Sequence, residues 1–454
     1  MMNVPPKHIL SKTTFIYGCQ CPKRLWLNKF MPKEKDALTD NQKAVFQQGT
    51  DIGLLAQQLF PNGVDATPSF KYDYPKAVAQ TAAYIQQGKS IIYEAAFQYE
   101  GVLVILDILV KINNHWFAFE VKSSTKVKDT FIHDAALQFY VITHAGIDLK
   151  DISIVHLNNE YIRKGDLDIN LLFQNTSIYN EVLQKQDEID AKIDELKLVL
   201  NLPTPPVIEL SKHCHIPYTC DFIGYCSKGL PIEEIDFGER NIDIISLSNF
   251  VNQLKYPLYF MDFETWMSAV PECDGHWPFR QVPFQFSLHI QDSVKSDVKH
   301  IEYLALNTYA DLSIFIHKLI DVLGLDGSIL VYNKTFENAR LNELKLDFPL
   351  LIEPITRIQE RLVDLMTPFR NKHLYMPEMQ GSYSIKNVLP ALVPELSYTN
   401  LSINNGSDAS SIFYNLSNET DSAIVKQTRE HLLEYCKLDT FAMMKILEKI
   451  YSII

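Results

Sequence analysis

The segment GVLVILDILVKINNHWFAFEVKSS, residues 101–124, constrains the fold of this chain more tightly than any other stretch. It consists of two apolar runs joined by Asn113 and Asn114. Asparagine tolerates the positive φ angles that a two-residue hairpin turn requires. The segment therefore predicts a β-hairpin in which Ile112 pairs with His115, and this pairing fixes the register of both strands.

Three charged residues meet on one face of the predicted hairpin. Its register sets Asp107 directly opposite Glu120, with side chains roughly 5 Å apart, and Lys122 follows Glu120 on the same face. Mg²⁺ and Mn²⁺ prefer carboxylate and water oxygens, so the two acids are predicted metal ligands. Lys122 would orient a metal-activated water or stabilise the charge that develops on a phosphodiester. The alternative is an exposed charged face with a cross-strand ion pair.

This pattern resembles the core motif of the PD-(D/E)XK nucleases, in their RecB-like branch. Asp107, followed after 12 residues by the Glu-Val-Lys of Glu120 and Lys122, matches that motif. Gln138 stands where the branch carries a helical glutamine, so the resemblance adds Gln138 to the catalytic residues. Two positions depart from the branch, in which a tyrosine and an upstream histidine are usual: Ile142 and Gly53.

Three of the chain's 7 cysteines fall in the short segment HCHIPYTCDFIGYC, residues 213–226. Cys214, Cys220 and Cys226 are separated by five residues each. In the reducing cytosol, clustered thiols predict a metal site or catalysis more than disulfides. The spacing is wider than the C-x₂-C usual in zinc ribbons. The alternatives are unligated core cysteines and a zinc site of four cysteines, or one that uses His213 or His215.

RecB-like nucleases of the AddB and CRISPR-associated exonuclease type close their fold with an iron–sulfur cluster, held by one N-terminal and three distal cysteines. The segment LSKTTFIYGCQCPKRLWL, residues 10–27, is similar to that N-terminal motif. Cys21 fits the ligand position better than Cys19. The resemblance therefore implies a 4Fe–4S cluster that joins the two ends of the first domain through four thiolates: Cys21, Cys214, Cys220 and Cys226.

A second group of acids interrupts the apolar strand predicted at PLYFMDFETW, residues 257–266. Asp262 and Glu264 are two residues apart and share one strand face. Burying carboxylates on a strand is costly unless they bind something. Near the end of the chain, Tyr435 and Asp439 lie one turn apart on a predicted helix. Cleavage of a phosphodiester with two metal ions about 4 Å apart requires several such carboxylates.

Together these motifs resemble the DnaQ-type exonucleases, which have an RNase H-like fold. In that family D-x-E on the first strand and Y-x-x-x-D on the last helix hold two metals, and the tyrosine orients the attacking water. The resemblance assigns these roles to Asp262, Glu264, Asp439 and Tyr435. The segment LVYNKTFENARLNEL is similar to the family's middle motif, with glutamate in place of aspartate at Glu337. Two weaker candidates are Asp364, as an alternative acid, and Lys386, as a phosphate contact or simply a surface lysine.

A chain of 454 residues exceeds what one hydrophobic core usually supports, so we expect two domains. Both are expected to be α/β: a restriction-endonuclease-like PD-(D/E)XK domain over residues 1–230, followed by an RNase H-like domain over residues 231–454. A linker is predicted at residues 227–241. Three further elements follow from periodicity and turn residues: a helix at 177–200, a loop at 403–411 and a closing helix at 421–451.

The net charge of −13 argues weakly against a nucleic-acid binder, although a local basic groove can coexist with an acidic surface. One candidate for such a groove, or else an ordinary solvated surface, is the basic run before position 36: Lys7, Lys12, Lys23, Arg24, Lys29, Lys33 and Lys35. No apolar run reaches membrane-spanning length, and the start of the chain lacks a signal-peptide pattern. We therefore expect a cytoplasmic protein without a membrane partner.

The two motif sets predict a metal-dependent nuclease, similar to a bacterial family that joins a RecB-like iron–sulfur domain to a DnaQ-like domain. The expected activity is an exonuclease on DNA, in repair or anti-phage defence. The departures at Ile142, Gly53 and Glu337 favour an alternative: a weakly active or non-catalytic module that binds nucleic-acid ends and works with a helicase or other partner. RNA 3′ trimming is a third possibility, because Y-x-x-x-D also resembles ribonucleases of the RNase D type.

Overall fold

The computed structural model describes residues 8–68, 70, 73–228, 238–306, 312–398, 401–403, 405–417 and 419–454, with only the backbone of residues 40 and 41. It is an α/β protein with mixed sheets. The chain divides into two compact units: Met1–Pro231 with Ala269–Phe279, and Ile232–Ser268 with Arg280–Ile454. The first unit thus includes a segment that the sequence prediction assigned to the second. Most of the predicted linker at 227–241 lies outside the described residues.

The sheet of the first unit has seven strands: β1 (Leu10–Ser11), β2 (Val64–Asp65), β3 (Ile91–Tyr99), β4 (Val102–Ile112), β5 (His115–Lys122), β6 (Leu149–Leu157) and β7 (Phe173–Ser177). Their order is β2-β3-β4-β5-β6-β7, and β1 pairs with β4. Strands β3, β4 and β5 form an antiparallel meander, whereas β5 and β6 are parallel.

The helices of the first unit are α1 (Lys12–Gln20), α2 (Pro22–Phe30), α3 (Asp40–Ala56), α4 (Tyr74–Gln86), α5 (Asp129–His144), α6 (Ile169–Leu172), α7 (Tyr179–Leu183), α8 (Gln186–Val199) and α9 (Ile223–Ser227). Short 3₁₀ turns lie at Pro32–Glu34, Gln57–Leu59 and Lys212–Cys214. Helix α5 packs with α7 and α8 over the apolar core on one side of the sheet.

Strands β4 and β5 form the predicted hairpin. The turn at 113–114 has φ angles of 47° and 70°, as a two-residue turn of this kind requires. Ile112 pairs with His115 as predicted, and regular pairing continues to the position just before Asp107 and Glu120. The turn chemistry and the alternating pattern therefore suffice to set the register of this hairpin.

The prediction of one helix at 177–200 is wrong. The chain forms the end of β7, then α7, and then α8 after a break at residues 184–185. Gln186 donates its side-chain amide to the carbonyl of Val182 at 2.8 Å, which satisfies a carbonyl freed by the break. Val182 and Ile189 are buried in the same core, so the apolar spacing continues although the helix does not.

The second unit has a five-stranded sheet and a separate two-stranded pair: β8 (Asn241–Ile242), β9 (Leu258–Met267), β10 (Gln281–Gln291), β11 (Val298–Leu304), β12 (Ser328–Val331), β13 (Leu362–Asp364) and β14 (Leu374–Tyr375). The sheet order is β11-β10-β9-β12-β13, and β8 pairs with β14. Strands β9, β12 and β13 are parallel, whereas β10 and β11 are antiparallel to their neighbours.

The helices of the second unit are α10 (Ile244–Asn252), α11 (Leu312–Leu323), α12 (Lys334–Asp347), α13 (Ile352–Glu360), α14 (Thr367–Arg370), α15 (Ile385–Leu392), α16 (Gly406–Leu416) and α17 (Ser422–Ile453). Two 3₁₀ turns lie at Pro349–Leu351 and Pro377–Met379. Helix α11 packs on one face of the sheet, where Phe263 meets Phe315 edge-to-face at 5.5 Å. The closing helix at 421–451 is confirmed as α17.

The prediction of a loop at 403–411 is wrong, because α16 begins within it. Asn405 caps the helix: its side chain accepts a hydrogen bond from the backbone N–H of Asp408 at 2.9 Å. The amide of Asn405 in turn donates to the Asp408 carboxylate at 2.6 Å. Ala409 and Phe413 anchor the helix in the core. The polar run that predicts a loop is thus a helix cap.

Throughout the described residues, none of the helices is both long enough and apolar enough to cross a membrane.

Candidate functional site

The second unit gathers its predicted acids between β9 and α17. Asp262 pairs with Ser287 on β10, whose hydroxyl lies 2.8 Å from the Thr440 hydroxyl on α17. Helix α17 therefore covers the face from which Asp262 and Glu264 project. Cys436 lies beneath them, with its Sγ 3.6 Å from Oδ2 of Asp262. Asp262, Glu264 and Cys436 each offer an atom within 4.8 Å of the others.

Asp439 lies beside this cluster, because its charge acts on both Asp262 and Glu264. The Tyr398 hydroxyl donates to Oδ1 of Asp439 at 2.7 Å, and the buried Tyr435 lies one turn before Asp439 on α17. The structure thus brings all four residues of the D-x-E and Y-x-x-x-D motifs together. Sequence reasoning missed Tyr398 and Cys436, because neither belongs to a motif and Tyr398 is 41 residues from its partner.

Glu337 also faces this cluster, and Asp364 does not replace it. Glu337 is 1 % exposed, its charge interacts with that of Asp262, and its Oε2 has no hydrogen-bond partner among the described residues. Asp364 instead accepts hydrogen bonds from the backbone N–H groups of Asn333 and Met366 at 3.2 and 3.1 Å. An orphaned, buried carboxylate oxygen on a residue whose charge interacts with that of Asp262 fits a divalent cation held by oxygen ligands.

Burial raises the pKa of every carboxyl in this cluster. The pKa values of Asp262 and Glu264 lie well above their usual range because of burial, with smaller contributions from the charge of Asp439 on both and from that of Asp262 on Glu264. Burial likewise raises the pKa of Glu337. The pKa of Asp439 rises to about 6 by burial, although its Tyr398 hydrogen bond and Lys386 oppose the rise. The cluster therefore carries a large unfavourable charge until protons or a cation neutralise it.

We predict that the metal-free protein loses stability as the pH rises from 5.5 to 8. Carboxyls in the unfolded chain titrate near pH 4. Because their folded pKa values are raised, the folded state holds more protons between pH 4 and those values, and stability falls across that window. Each excess proton costs about 1.4 kcal/mol per pH unit. Thermal unfolding in EDTA over this range measures the effect.

Manganese should reverse this trend, because a cation must displace protons from the carboxylates and so binds more tightly at higher pH. The rise in Tm on adding Mn²⁺ is expected to be larger at pH 8 than at pH 5.5. Asp262→Asn, which removes one charge, should flatten the dependence of Tm on pH in EDTA. A metal-free Tm that climbs steadily from pH 5.5 to 8 would contradict the prediction.

The predicted cluster of the first unit forms around Glu120. Glu120 is 2 % exposed, and its Oε1 accepts hydrogen bonds from Lys12 of α1 at 2.8 Å and from Lys122 at 2.7 Å. Lys122 also contacts Asp134 of α5, and Lys12 lies 3.8 Å from the same carboxylate. Two lysines and two acids thus form a network of ion pairs, of which the sequence predicted only Glu120 and Lys122.

Asp107 lies next to this network. Its Oδ2 accepts a hydrogen bond from the backbone N–H of Val121 at 2.6 Å. Burial raises the pKa of Asp107, and Glu120 raises it further. Burial would also raise the pKa of Glu120, but Lys12 and Lys122 outweigh it and hold that pKa well below its usual range. The two predicted ligands therefore differ: Glu120 is a salt-bridged carboxylate, whereas Asp107 favours its protonated form.

Glu94 is a third acid at this site that sequence reasoning missed. It lies on β3 with a φ angle of 51°, a left-handed conformation that is strained for a residue with a side chain. Burial raises the pKa of Glu94 to about 7, with Glu120 adding to the rise. The pair of Glu94 with Asp107 is missing from the β3–β4 ladder, although the register is the same on both sides of it. A strained acid here is a feature expected of functional sites.

Gln138 lies where the resemblance places it, one turn after Asp134 on α5. Its side chain is fully buried, and neither its amide nitrogen nor its oxygen has a hydrogen-bond partner among the described residues. Tyr140 does not supply the missing tyrosine, because its hydroxyl bonds to Asp190 on α8. The oxygens of Asp107, Glu120 and Asp134 do not meet within 4.8 Å as a group, judged over the described part of the chain.

Lys12→Met is predicted to destabilise the first unit by about 3 kcal/mol. The substitution leaves the buried Glu120 with one cation, and breaking a buried ion pair is costly because a charge remains unpaired. Urea denaturation measures the loss. The double variant Lys12→Met with Glu120→Gln should regain most of it. The control is Lys76→Met, whose lysine pairs with Asp73 on the surface and should cost at most about 1 kcal/mol. Equal losses in both single variants would refute a special role for Lys12.

The four predicted cluster cysteines line one small cavity: Cys21, Cys214, Cys220 and Cys226. Cys19 is exposed and has no part in it. Among the described residues, no three of the four sulfurs lie within 4.8 Å of one another. A tetrahedral Zn²⁺ with bonds of about 2.3 Å would bring them to about 3.8 Å. Four thiolates around one cavity can hold either a four-iron cluster or a single zinc ion.

The cysteine segment is joined to α1 and α2 by polar contacts. Gln20 donates its amide to the carbonyls of His213 and Tyr218 at 2.9 and 2.7 Å. Arg24 bonds to Asp221 at 2.8 Å, and Lys35 lies 2.6 Å from the same carboxylate. Three cations of the basic run before position 36 are therefore paired with acids: Lys12, Arg24 and Lys35. Lys7 lies outside the described residues.

Residues 259–384 match the family model of a domain of unknown function, DUF2779. The chain is also similar to an uncharacterized protein of Ureaplasma parvum, 28% identical over 41% of this chain and 34% of the relative. An uncharacterized protein of Mycoplasma pneumoniae is 31% identical over 43% of this chain and 32% of the relative. Its homologue in Mycoplasma genitalium is 29% identical over 45% of this chain and 34% of the relative.

The match to the chain spans about a third of the length of each of these curated relatives. The DUF2779 match begins on β9 and includes Asp262, Glu264 and Glu337, and it ends before Lys386 and α17. The chain is thus similar to a domain and to proteins to which no activity is assigned.

Proposed function

We propose that the protein is a metal-dependent nuclease whose main catalytic site lies in the second unit. The observation that carries this proposal is the buried convergence of Asp262, Glu264, Asp439 and Glu337, with one carboxylate oxygen left without a partner. A fold does not retain several uncompensated buried acids for stability, because each costs free energy. A cation-dependent reaction on an anionic substrate explains why they are present.

The fold around these acids supports an RNase H-like assignment for this unit. Its central strand β9 carries D-x-E between antiparallel and parallel neighbours, and the last helix carries Tyr435 and Asp439. Asp262, Glu264 and Asp439 would hold Mg²⁺ or Mn²⁺. The bound ion would supply activation of water and charge neutralisation on a phosphodiester. Tyr435, which is buried one turn before Asp439 on α17, would orient the attacking water.

In the first unit, the Asp107–Glu120–Lys122 arrangement and the four-cysteine cavity support a RecB-like PD-(D/E)XK domain with a structural 4Fe–4S cluster. A second candidate function applies to this unit: binding of a nucleic-acid end without cleavage. It is favoured by one observation, that both lysines already engage Oε1 of Glu120. On this proposal the first unit holds DNA, which a helicase or defence partner would deliver, and the second unit cleaves it.

A comparison of substrates tests the proposal. Labelled single-stranded DNA, duplex DNA and RNA are incubated with Mn²⁺ and with wild type, Asp262→Asn or Asp107→Asn. We expect cleavage that requires Mn²⁺ and falls with Asp262→Asn. If cleavage is lost with Asp107→Asn and not with Asp262→Asn, the catalytic site lies in the first unit. If the wild type cleaves RNA in preference to DNA, the substrate is RNA. If the wild type cleaves none of the three, the nuclease proposal fails.

A further inference from the structure

Lys386 is not the surface lysine that its sequence context allows. It lies in the first turn of α15 and is half-buried. Its Nζ is 5.6 Å from the centroid of the Tyr398 ring and 5.5 Å from that of the Tyr435 ring. The two ring centroids are 6.3 Å apart. These three distances form a nearly equilateral triangle, so the ammonium group lies to one side of both rings and within cation–π distance of each.

The same two tyrosines connect this lysine to the acids. The Tyr398 hydroxyl bonds to Asp439 at 2.7 Å, Tyr435 lies one turn before Asp439 on α17, and the charge of Lys386 interacts with Asp439, Glu264 and Asp262. The buried cluster therefore has a fixed positive charge at its edge. Because Tyr398 and Tyr435 are 6 % and 4 % exposed while Lys386 retains solvent access, the cation marks the side from which an anion reaches the cluster.

We propose that Lys386, which lies beside the Tyr398 and Tyr435 rings, is a phosphate-binding subsite that takes a non-bridging oxygen of the substrate phosphodiester beside the Asp262–Glu264–Asp439 cluster. The inference rests on the proposed function, since it names the group of a nucleic-acid strand that this site recognises. A polyanion approaching several acids is repelled, and a fixed ammonium offsets that repulsion where a charge-assisted hydrogen bond can form. In the absence of substrate, the same ammonium opposes binding of a metal cation.

Because of these two roles, Lys386→Met should weaken binding of DNA without weakening binding of Mn²⁺. Affinity for a short fluorescein-labelled single-stranded DNA, measured by anisotropy with Ca²⁺ in place of Mn²⁺ to prevent cleavage, should fall about 10-fold. Affinity for Mn²⁺ alone, measured by calorimetry, should stay equal or rise. Lys386→Arg, which keeps the charge, should retain DNA affinity within about 3-fold. A lysine with a merely structural role would lower both affinities together.

The matched control is Lys318→Met, because Lys318 lies over the Tyr303 ring at 5.0 Å in the same unit. It should change neither affinity. Lys386→Gln, which removes the charge but keeps a polar side chain of similar length, should lower DNA affinity in the same way and so checks the outcome if Lys386→Met folds poorly. Unchanged DNA binding by Lys386→Met, or a parallel loss of DNA and Mn²⁺ binding, would overturn the inference. Neither readout uses cleavage, so failure of the nuclease proposal would remain distinguishable.

Discussion

Asp262→Asn is expected to lower metal-dependent cleavage at least about 100-fold and, at the same time, to stabilise the metal-free protein. The activity loss follows because Asp262 is central to the cluster, and losing a metal ligand removes several kcal/mol of transition-state stabilisation. The stability gain follows because Asp262 and Glu264 are buried with raised pKa values. Removing one charge relieves repulsion that the folded chain otherwise bears at neutral pH.

The two effects are measured on the same preparation, as cleavage of the best substrate with Mn²⁺ and as Tm in EDTA at pH 8. Asp292→Asn is the matched control, since Asp292 is an exposed acid of the same unit that pairs with Lys299 at 2.8 Å. It should change neither cleavage nor Tm appreciably. An Asp262→Asn protein with normal cleavage, or with a lower metal-free Tm, would show that this cluster is a structural network and not a catalytic one.

The sequence predicts those parts of each site that lie close together along the chain. The hairpin register followed from the turn at residues 113–114, and it brought Asp107 and Glu120 to neighbouring positions. The acids two apart on β9, and Tyr435 and Asp439 one turn apart on α17, followed from the geometry of a strand and a helix. In each case one element fixes the spacing, so local periodicity contains the information.

The residues that sequence reasoning missed come from distant elements. Lys12 reaches Glu120 across 108 positions, and Tyr398 reaches Asp439 across 41. Nothing local distinguishes these residues from ordinary surface or core side chains. Their roles depend on how α1 and the region before α16 pack, which no periodicity specifies. The polar cap at Asn405 was missed for another reason, since helix caps and loops favour the same residue types.

Cys21→Ala is expected to remove the iron from the protein and to destabilise its first unit, whereas Cys19→Ala should do neither. Cys21 ends α1 and begins α2, and it lines the same cavity as Cys214, Cys220 and Cys226. A link between Cys21 and Cys214 closes a loop of about 190 residues. In the chain-entropy view such a closure stabilises by up to about 5 kcal/mol.

That loss is comparable to the whole stability of many domains, so Cys21→Ala should expose the first unit to proteolysis at temperatures where wild type resists. The effect should extend to the Glu120 network, because α1 has Cys21 at one end and Lys12 at the other. Iron content, visible absorbance and limited proteolysis measure these outcomes. Retained iron in Cys21→Ala would refute the assignment of this ligand. A colourless wild-type protein that contains zinc would show that the metal is zinc and not iron. Cys21→Ala should still destabilise the first unit in that case, because any metal held by the four thiolates closes the same loop.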